Sequence, residues 1–159
     1  MHNVPLVSVI TIVYNCDTYI EQCLKSVKAQ TYDNIEYIII DGASTDDTLN
    51  IVNRYSHIIN TLVSERDRGI SDAFNKGIAK ATGEIIAILT ADDYFNPTTI
   101  EDEVTAYIEN GKKKGVYYGN IRYFDESMSY IRVAKIDKIW SYMSIYHPSM
   151  FVTADIYKE

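Results

Sequence analysis

The chain has 159 residues, 47% of them hydrophobic, which is enough for one globular domain burying roughly two thirds of its unfolded surface and too few for two. Fifteen basic and 22 acidic residues give 15 − 22 = −7, and the longest basic run is Lys112-Lys113-Lys114, so the composition excludes nucleic acid as a partner. No window approaches the roughly 18 uncharged residues of a membrane-spanning helix, and Met1 to Pro5 lacks the regions of a signal peptide, so the cytoplasm is the expected compartment.

Val7 to Tyr14 is apolar and β-branched and predicts a first strand. Thr18 with Glu21 forms a capping-box pattern, and Ile20, Cys23, Leu24 and Val27 recur at helical spacing. Cys16 and Cys23 are expected in that helix, about 10 Å apart along its axis and so beyond disulfide reach, both most simply buried thiols. Ile35 to Ile40 predicts a second strand closed by Asp41-Gly42, and Ser44 is placed to cap a helix with Leu49 and Val52 inward. Leu62 and Val63 mark a short third strand. Ile70, Ala73, Phe74, Gly77, Ile78 and Ala81 then define one helix face, with Gly83 as its stop.

The fourth strand, Ile85 to Leu89, runs into Asp92-Asp93. Asn96-Pro97 begins a further helix with Ile100, Val104, Tyr107 and Ile108 inward, ending near Gly111. Gly115 to Phe124 and Met128 to Ala134 alternate as a hairpin would. Strands alternating with helices over this length predict an α/β fold: a Rossmann-like, mostly parallel sheet with helices on both faces.

In such a sheet ligands bind beyond the carboxyl ends of the strands. Thr11 to Asn15, Asp41-Gly42, the Glu65-Arg66-Asp67-Arg68 loop and Asp92-Asp93 are therefore expected along one edge. Adjacent carboxylates there repel unless a cation lies between them, and hard oxygen ligands suit Mg²⁺ or Mn²⁺. A metal-bridged diphosphate follows, against the alternative of a turn in which Asp92 caps the next helix. Asp41 is suited to accept hydrogen bonds from a base or ribose, or else serves as a turn aspartate. Arg66 and Arg68 are placed for phosphates or else are solvated loop arginines, and Asp72, Asn75 and Lys76 lie opposite the apolar helix face, where a plain solvent face is the alternative. There is no G-x-x-x-x-G-K-[ST] or G-x-G-x-x-G motif and no nucleophile triad.

The ordered motifs V-S-V-I-T-I-V-Y-N, I-I-I-D-G-A-S-T-D, D-R-G-I-S-D-A-F-N-K-G-I-A-K-A-T-G-E and L-T-A-D-D resemble the family 2 glycosyltransferases with the GT-A fold, over almost the whole chain. The resemblance implies that Thr11, Tyr14 and Asp41 hold the nucleotide base, usually uracil. It also implies that the segment from Arg68 through Asp72 to Lys76 borders the diphosphate, that Asp92 and Asp93 carry the ribose and a Mn²⁺ or Mg²⁺ ion, and that Thr90 replaces an acid or amide of many members. The implied reaction is inverting transfer from a UDP-sugar to the hydroxyl of a glycan or glycolipid acceptor in polysaccharide or glycoconjugate synthesis. Peripheral association with the inner face of a membrane is compatible with it, and a donor-binding but inactive domain is the alternative. His147-Pro148-Ser149-Met150-Phe151 is similar to the H-x-S-x-F segment beside the acceptor side, which makes His147 an acceptor-side candidate. The family's catalytic carboxylate follows that segment, so residues 1–159 are expected to be a single nucleotide-sugar-binding domain lacking its C-terminal part. The catalytic residue stays unassigned, since Asp125, Glu126 and Asp155 have no motif support.

Overall fold

Every residue of β1 (Val7–Val13) is buried, because this strand lies in the middle of a sheet covered on both sides. The computed structural model describes residues 4–124, 129–134 and 147–158. In chain order β1 is followed by α1 (Ile20–Lys28), β2 (Ile35–Asp41), α2 (Thr48–Arg54), β3 (Thr61–Ser64), α3 (Ile70–Lys80), β4 (Ile85–Thr90) and α4 (Thr99–Glu109). Then come β5 (Val116–Tyr118), β6 (Ile121–Phe124), β7 (Ser129–Arg132) and β8 (Met150–Thr153). The main sheet has the order β3-β2-β1-β4-β8-β5; its first four strands are parallel, and β8 runs antiparallel to both β4 and β5.

The side-chain period of two splits β1 between two cores. Val7, Val9 and Val13 join α1, α2 and α4 through Ile20, Leu24, Val52, Ile100 and Val104. Ile10 and Ile12 face α3 instead, with Ile38, Ile40, Ile86 and Ile88. Helices on both faces are thus borne out, three on one side and one on the other among the described residues. Gly77 lets α3 lie directly against Ile10.

Several local expectations give way to longer-range contacts. The Thr18 and Glu21 capping box does not form: Thr18 bonds Asp17, α1 begins after Tyr19, and Glu21 pairs with Lys25, Arg54 and Tyr55. Cys16 sits in the loop before α1, half-buried, whereas Cys23 is buried in the helix. Ser44 does not cap α2, whose N-cap is Asp47, and Ile51 rather than Leu49 is buried with Val52. Ile70 and Ile108 are exposed, and Phe74 and Ile78 only half-buried. Pro97 precedes the α4 cap, Thr98. Helix α3 ends by extension at Ala81 and not at a left-handed Gly83, whereas Gly111, at φ 71°, does follow the end of α4.

The anticipated hairpin is real only in part. Ile121–Phe124 pairs with Ser129–Arg132, but Val116–Tyr118 leaves it to edge the main sheet, and residues 125–128 lie outside the described part.

Candidate functional site

The parallel register sets Val13 beside Asp41, Asp41 beside Ser64, and Ile12 beside Thr90, so the strand ends form one rim. Asp41 closes β2 and is wholly buried. It accepts the Ser64 hydroxyl at 2.6 Å and the Ser44 amide at 3.1 Å, hydrogen bonds that offset the burial of its oxygens.

The two loops above Asp41 are laced together. Asn15, at φ 46°, donates its amide to Ser44 Oγ at 2.8 Å and accepts the Thr45 amide at 2.8 Å. The Cys16 amide bonds Thr48 Oγ1 at 2.8 Å, and the Asp17 amide bonds Asp46 at 3.2 Å. Ala43 is also held in left-handed conformation, at φ 65°. Non-glycine residues persist there only when their surroundings fix them. This lacing leaves Tyr14 63% exposed against Gly42, at the mouth of the rim.

Thr11 does not reach that mouth. It is fully buried on the α1 side, and its hydroxyl shares a hydrogen bond with Tyr37 at 3.0 Å and contacts Cys23 Sγ at 3.7 Å. The same burial holds the Tyr37 hydroxyl well above its ordinary pKa and pushes the Cys23 thiol up to about 12. Thr11 is therefore a core residue on the α1 side, away from the mouth where its expected place on the base would put it.

Beyond β3, the exposed loop 65–69 reaches α3. The Arg68 amide donates to Asp72 Oδ2 at 3.1 Å and, with Lys76 assisting, holds the Asp72 carboxyl below its usual range. Lys76 is 21% exposed and engages Glu65 at 3.0 Å, Asp72 at 3.4 Å and the Arg66 carbonyl at 3.1 Å. Its ammonium is committed to the protein, chiefly by Glu65, which raises its pKa. Asp67 was not singled out from the sequence, yet it turns inward: Oδ1 accepts the Gly69 amide at 3.1 Å, and Oδ2 lies 2.8 Å from where a Cβ on Gly42 would stand. Only its place between two arginines hinted at a role.

Across the rim, Asp92 is exposed and Asp93 half-buried. Thr90 donates to Asp93 Oδ2 at 2.5 Å. Burial raises the Asp93 carboxyl above its usual range and the charge of Asp92 adds to this, against the Thr90 hydrogen bond. Strand spacing separates the ends of β2 and β4, which carry Asp41 and lead into this acid pair, by about 10 Å. Two crowded carboxylates suit a hard divalent cation that takes its other ligands from phosphate and water, the usual habit of Mg²⁺. Among the described residues no group of three or more His, Cys, Asp or Glu converges as a complete protein cage.

The backbone of His147 begins a 3-10 turn leading into β8. Since β8 is antiparallel to β4, with Ala87 opposite Phe151, this turn lies toward the same rim as Asp92; the His147 side chain is outside the described part. Asp155 lies at the opposite end. Thr153 pairs with Ile85 at the start of β4, the Ala154 amide bonds the Glu84 carbonyl, and Asp155 lines a groove with Thr82, Tyr107 and Lys112. It is thereby removed as a candidate base. Asp125 and Glu126 lie outside the described residues.

A parallel β3-β2-β1-β4 core with an antiparallel β8, a buried acid closing β2 and an acid pair after β4 defines a GT-A-type α/β domain. Residues 8–155 match the family model described as Glycosyl transferase family 2, and the chain belongs to that family. It is 36% identical over 103 residues to chondroitin synthase from Escherichia coli, covering 64% of this chain and 15% of that protein. Of solved structures, it is similar to the mannosyltransferase PcManGT from Pyrobaculum calidifontis in complex with GDP-Man and Mn²⁺, with 33% identity, TM-score 0.62, 67% of this chain and 33% of that one. The S. aureus TarS 1-349 complex with UDP-GlcNAc superposes with TM-score 0.79 at 23% identity, over 96% of this chain and 46% of that one, a likeness of fold. The chain thus spans less than half of each of these three proteins. Among the described residues no helix is long and apolar enough to cross a membrane.

Proposed function

We propose that this domain binds a nucleoside diphosphate sugar, with UDP favoured, and presents the sugar for inverting transfer to a glycan or glycolipid hydroxyl in polysaccharide or glycoconjugate synthesis. The observation that carries the reading is the placement of buried Asp41 and the Asp92-Asp93 pair on one rim, two strands apart. Tyr14, Asp41 and loop 65–69 form the nucleoside end. Asp92 and Asp93 would hold Mn²⁺ or Mg²⁺ at the diphosphate end, where such a cation would supply neutralisation of the leaving diphosphate's charge. Asp93 is steadied by Thr90, so its carboxyl keeps one orientation. Arg68, exposed beside the rim, adds positive charge near the phosphates. The relatives support the class of ligand: one similar structure carries GDP-Man with Mn²⁺ and another UDP-GlcNAc. On this reading the chain acts as a single donor-binding domain with no assigned base; general-base help adds about 10²–10⁴-fold in rate where it is present.

Isothermal titration with UDP and GDP, each with and without Mn²⁺, tests the reading. UDP should bind more tightly than GDP and more tightly with the metal. Asp92→Asn should weaken the metal-dependent part by roughly 1–3 kcal/mol without changing the melting temperature. Equal UDP binding by wild type and Asp92→Asn in Mn²⁺ would remove Asp92 from the site.

A further inference from the structure

Lys76 draws three oxygens together from two segments. Its Nζ lies 3.0 Å from Glu65 Oε1 and 3.4 Å from Asp72 Oδ2, and donates to the Arg66 carbonyl at 3.1 Å. Asp72 Oδ2 also accepts the Arg68 amide at 3.1 Å. The peptide groups on both sides of Asp67 are therefore tied to one knot on α3. Packing does little to hold this loop: Arg66, Arg68 and Gly69 are exposed, and a Cβ on Gly69, at φ 116°, would meet nothing within 4 Å. Yet the loop delivers Asp67 to the contact with Gly42, whose other neighbour is Tyr14. For Lys76 to reach a phosphate it would have to leave two carboxylates and a carbonyl.

On the reading that this rim binds a nucleoside diphosphate, we propose that Lys76 is a positioning residue: with Glu65 and Asp72 it fixes loop 65–69 so that Asp67 stands at the nucleoside end, and it does not ligate the diphosphate. A loop that holds its competent position one tenth of the time lowers apparent affinity about tenfold for every ligand that needs it, with or without phosphate. A lysine bound to phosphate would behave differently. Its loss would spare uridine, and removal of its carboxylate neighbour Glu65 would strengthen UDP binding, because an anionic competitor is gone.

The test compares uridine, by saturation-transfer NMR, and UDP with Mn²⁺, by calorimetry, on wild type, Lys76→Met, Lys76→Arg and Glu65→Gln. Lys76→Met should weaken both probes by the same factor, about tenfold. Glu65→Gln should weaken both in parallel, and Lys76→Arg should recover most of the loss. Glu65 is 58% exposed, so its variant reads the knot even if Lys76→Met fails to fold. Loss confined to UDP, or tighter UDP binding by Glu65→Gln, overturns the proposal. Wild-type protein that binds neither probe overturns the donor-site reading and the proposal together, a result distinct from unequal losses.

Discussion

Gly83→Ala is expected to be among the more damaging single-methyl additions in this domain. Gly83 is buried where α3 returns to the sheet, and its amide donates to Ser8 Oγ at 2.8 Å. A Cβ there would lie 2.6 Å from the Leu6 carbonyl oxygen, 2.7 Å from the Ser8 nitrogen and 2.7 Å from Ser8 Oγ. Two of these are backbone atoms at the entry to the central strand, so no rotamer change relieves them. The segment must retreat, and with it the Glu84 amide bond to the Leu6 carbonyl at 2.9 Å. Overpacking costs about 1–3 kcal/mol and one or two strained hydrogen bonds about 0.5–1.5 each, against about 0.4–1 gained by restricting the unfolded chain. The net is a loss of roughly 0.5–5.5 kcal/mol with a middle value of about 3, or about 6–12 °C in melting temperature at that middle value for a domain of this size. Urea unfolding followed by circular dichroism measures it, with Gly115→Ala as internal control, since a Cβ there meets nothing closer than 3.7 Å. Ser8→Ala should not rescue the variant, because the backbone overlaps remain. A Gly83→Ala protein melting within about 1 °C of wild type would refute the close-approach reasoning.

Two carboxylates should give the domain opposite pH signatures. Glu103 on α4 has Oε1 3.2 Å from where a Cβ on Gly119 would stand, and burial, aided by the charge of Asp102, lifts it from 4.5 to about 7. Its folded pKa is the higher one, so the stability it contributes is complete below the unfolded value and is lost as pH climbs to about 7. Glu103→Gln should therefore gain about 1–2 kcal/mol over wild type at about pH 8, after allowing for solvent screening, and much less at about pH 5; equal differences at both would exclude this cause. For Glu36, burial acts upward, but bonds from the Ser8 hydroxyl at 2.5 Å and from the Thr82 amide and hydroxyl, both at 2.8 Å, hold it below its usual value. That contribution is present above the unfolded pKa and lost as pH falls through the folded one, so Glu36→Gln should cost about 1–2 kcal/mol near neutrality, a difference that closes on acidification. A constant penalty down to about pH 3 would count against it.

Period and order carried the architecture. Short, β-branched apolar runs such as Ile38-Ile39-Ile40 and Ile85 to Leu89 suit strands covered on both sides, and their alternation with helices of period 3.6 pointed to a mostly parallel sheet. Once that is known, strand ends converge for topological reasons, so Tyr14, Asp41, Arg68 and the Asp92-Asp93 pair could be placed on one rim from sequence. What failed were side-chain assignments made from local pattern alone. Capping patterns at Thr18 and Ser44 are satisfied locally on paper, yet those side chains have other partners, Asp17 for one and Asn15 for the other.

The amino-acid sequence by itself determined the α/β class, the order of strands and helices and the edge where charge gathers, because periodicity and strand-end chemistry are properties of short segments. Only the tertiary structure decided which face each residue serves. Thr11 belongs to the α1 core because of the pleat of β1, and Gly83 is a point of close approach because Leu6 and Ser8 lie beneath it. Lys76 is a tether because Glu65 and Asp72 meet it, and Asp155 is at the wrong end because β8 runs antiparallel to β4. Apart from the i,i+4 approach of Asp72 to Lys76, these are set by atoms brought together from separate segments, and no local pattern encodes where such partners stand.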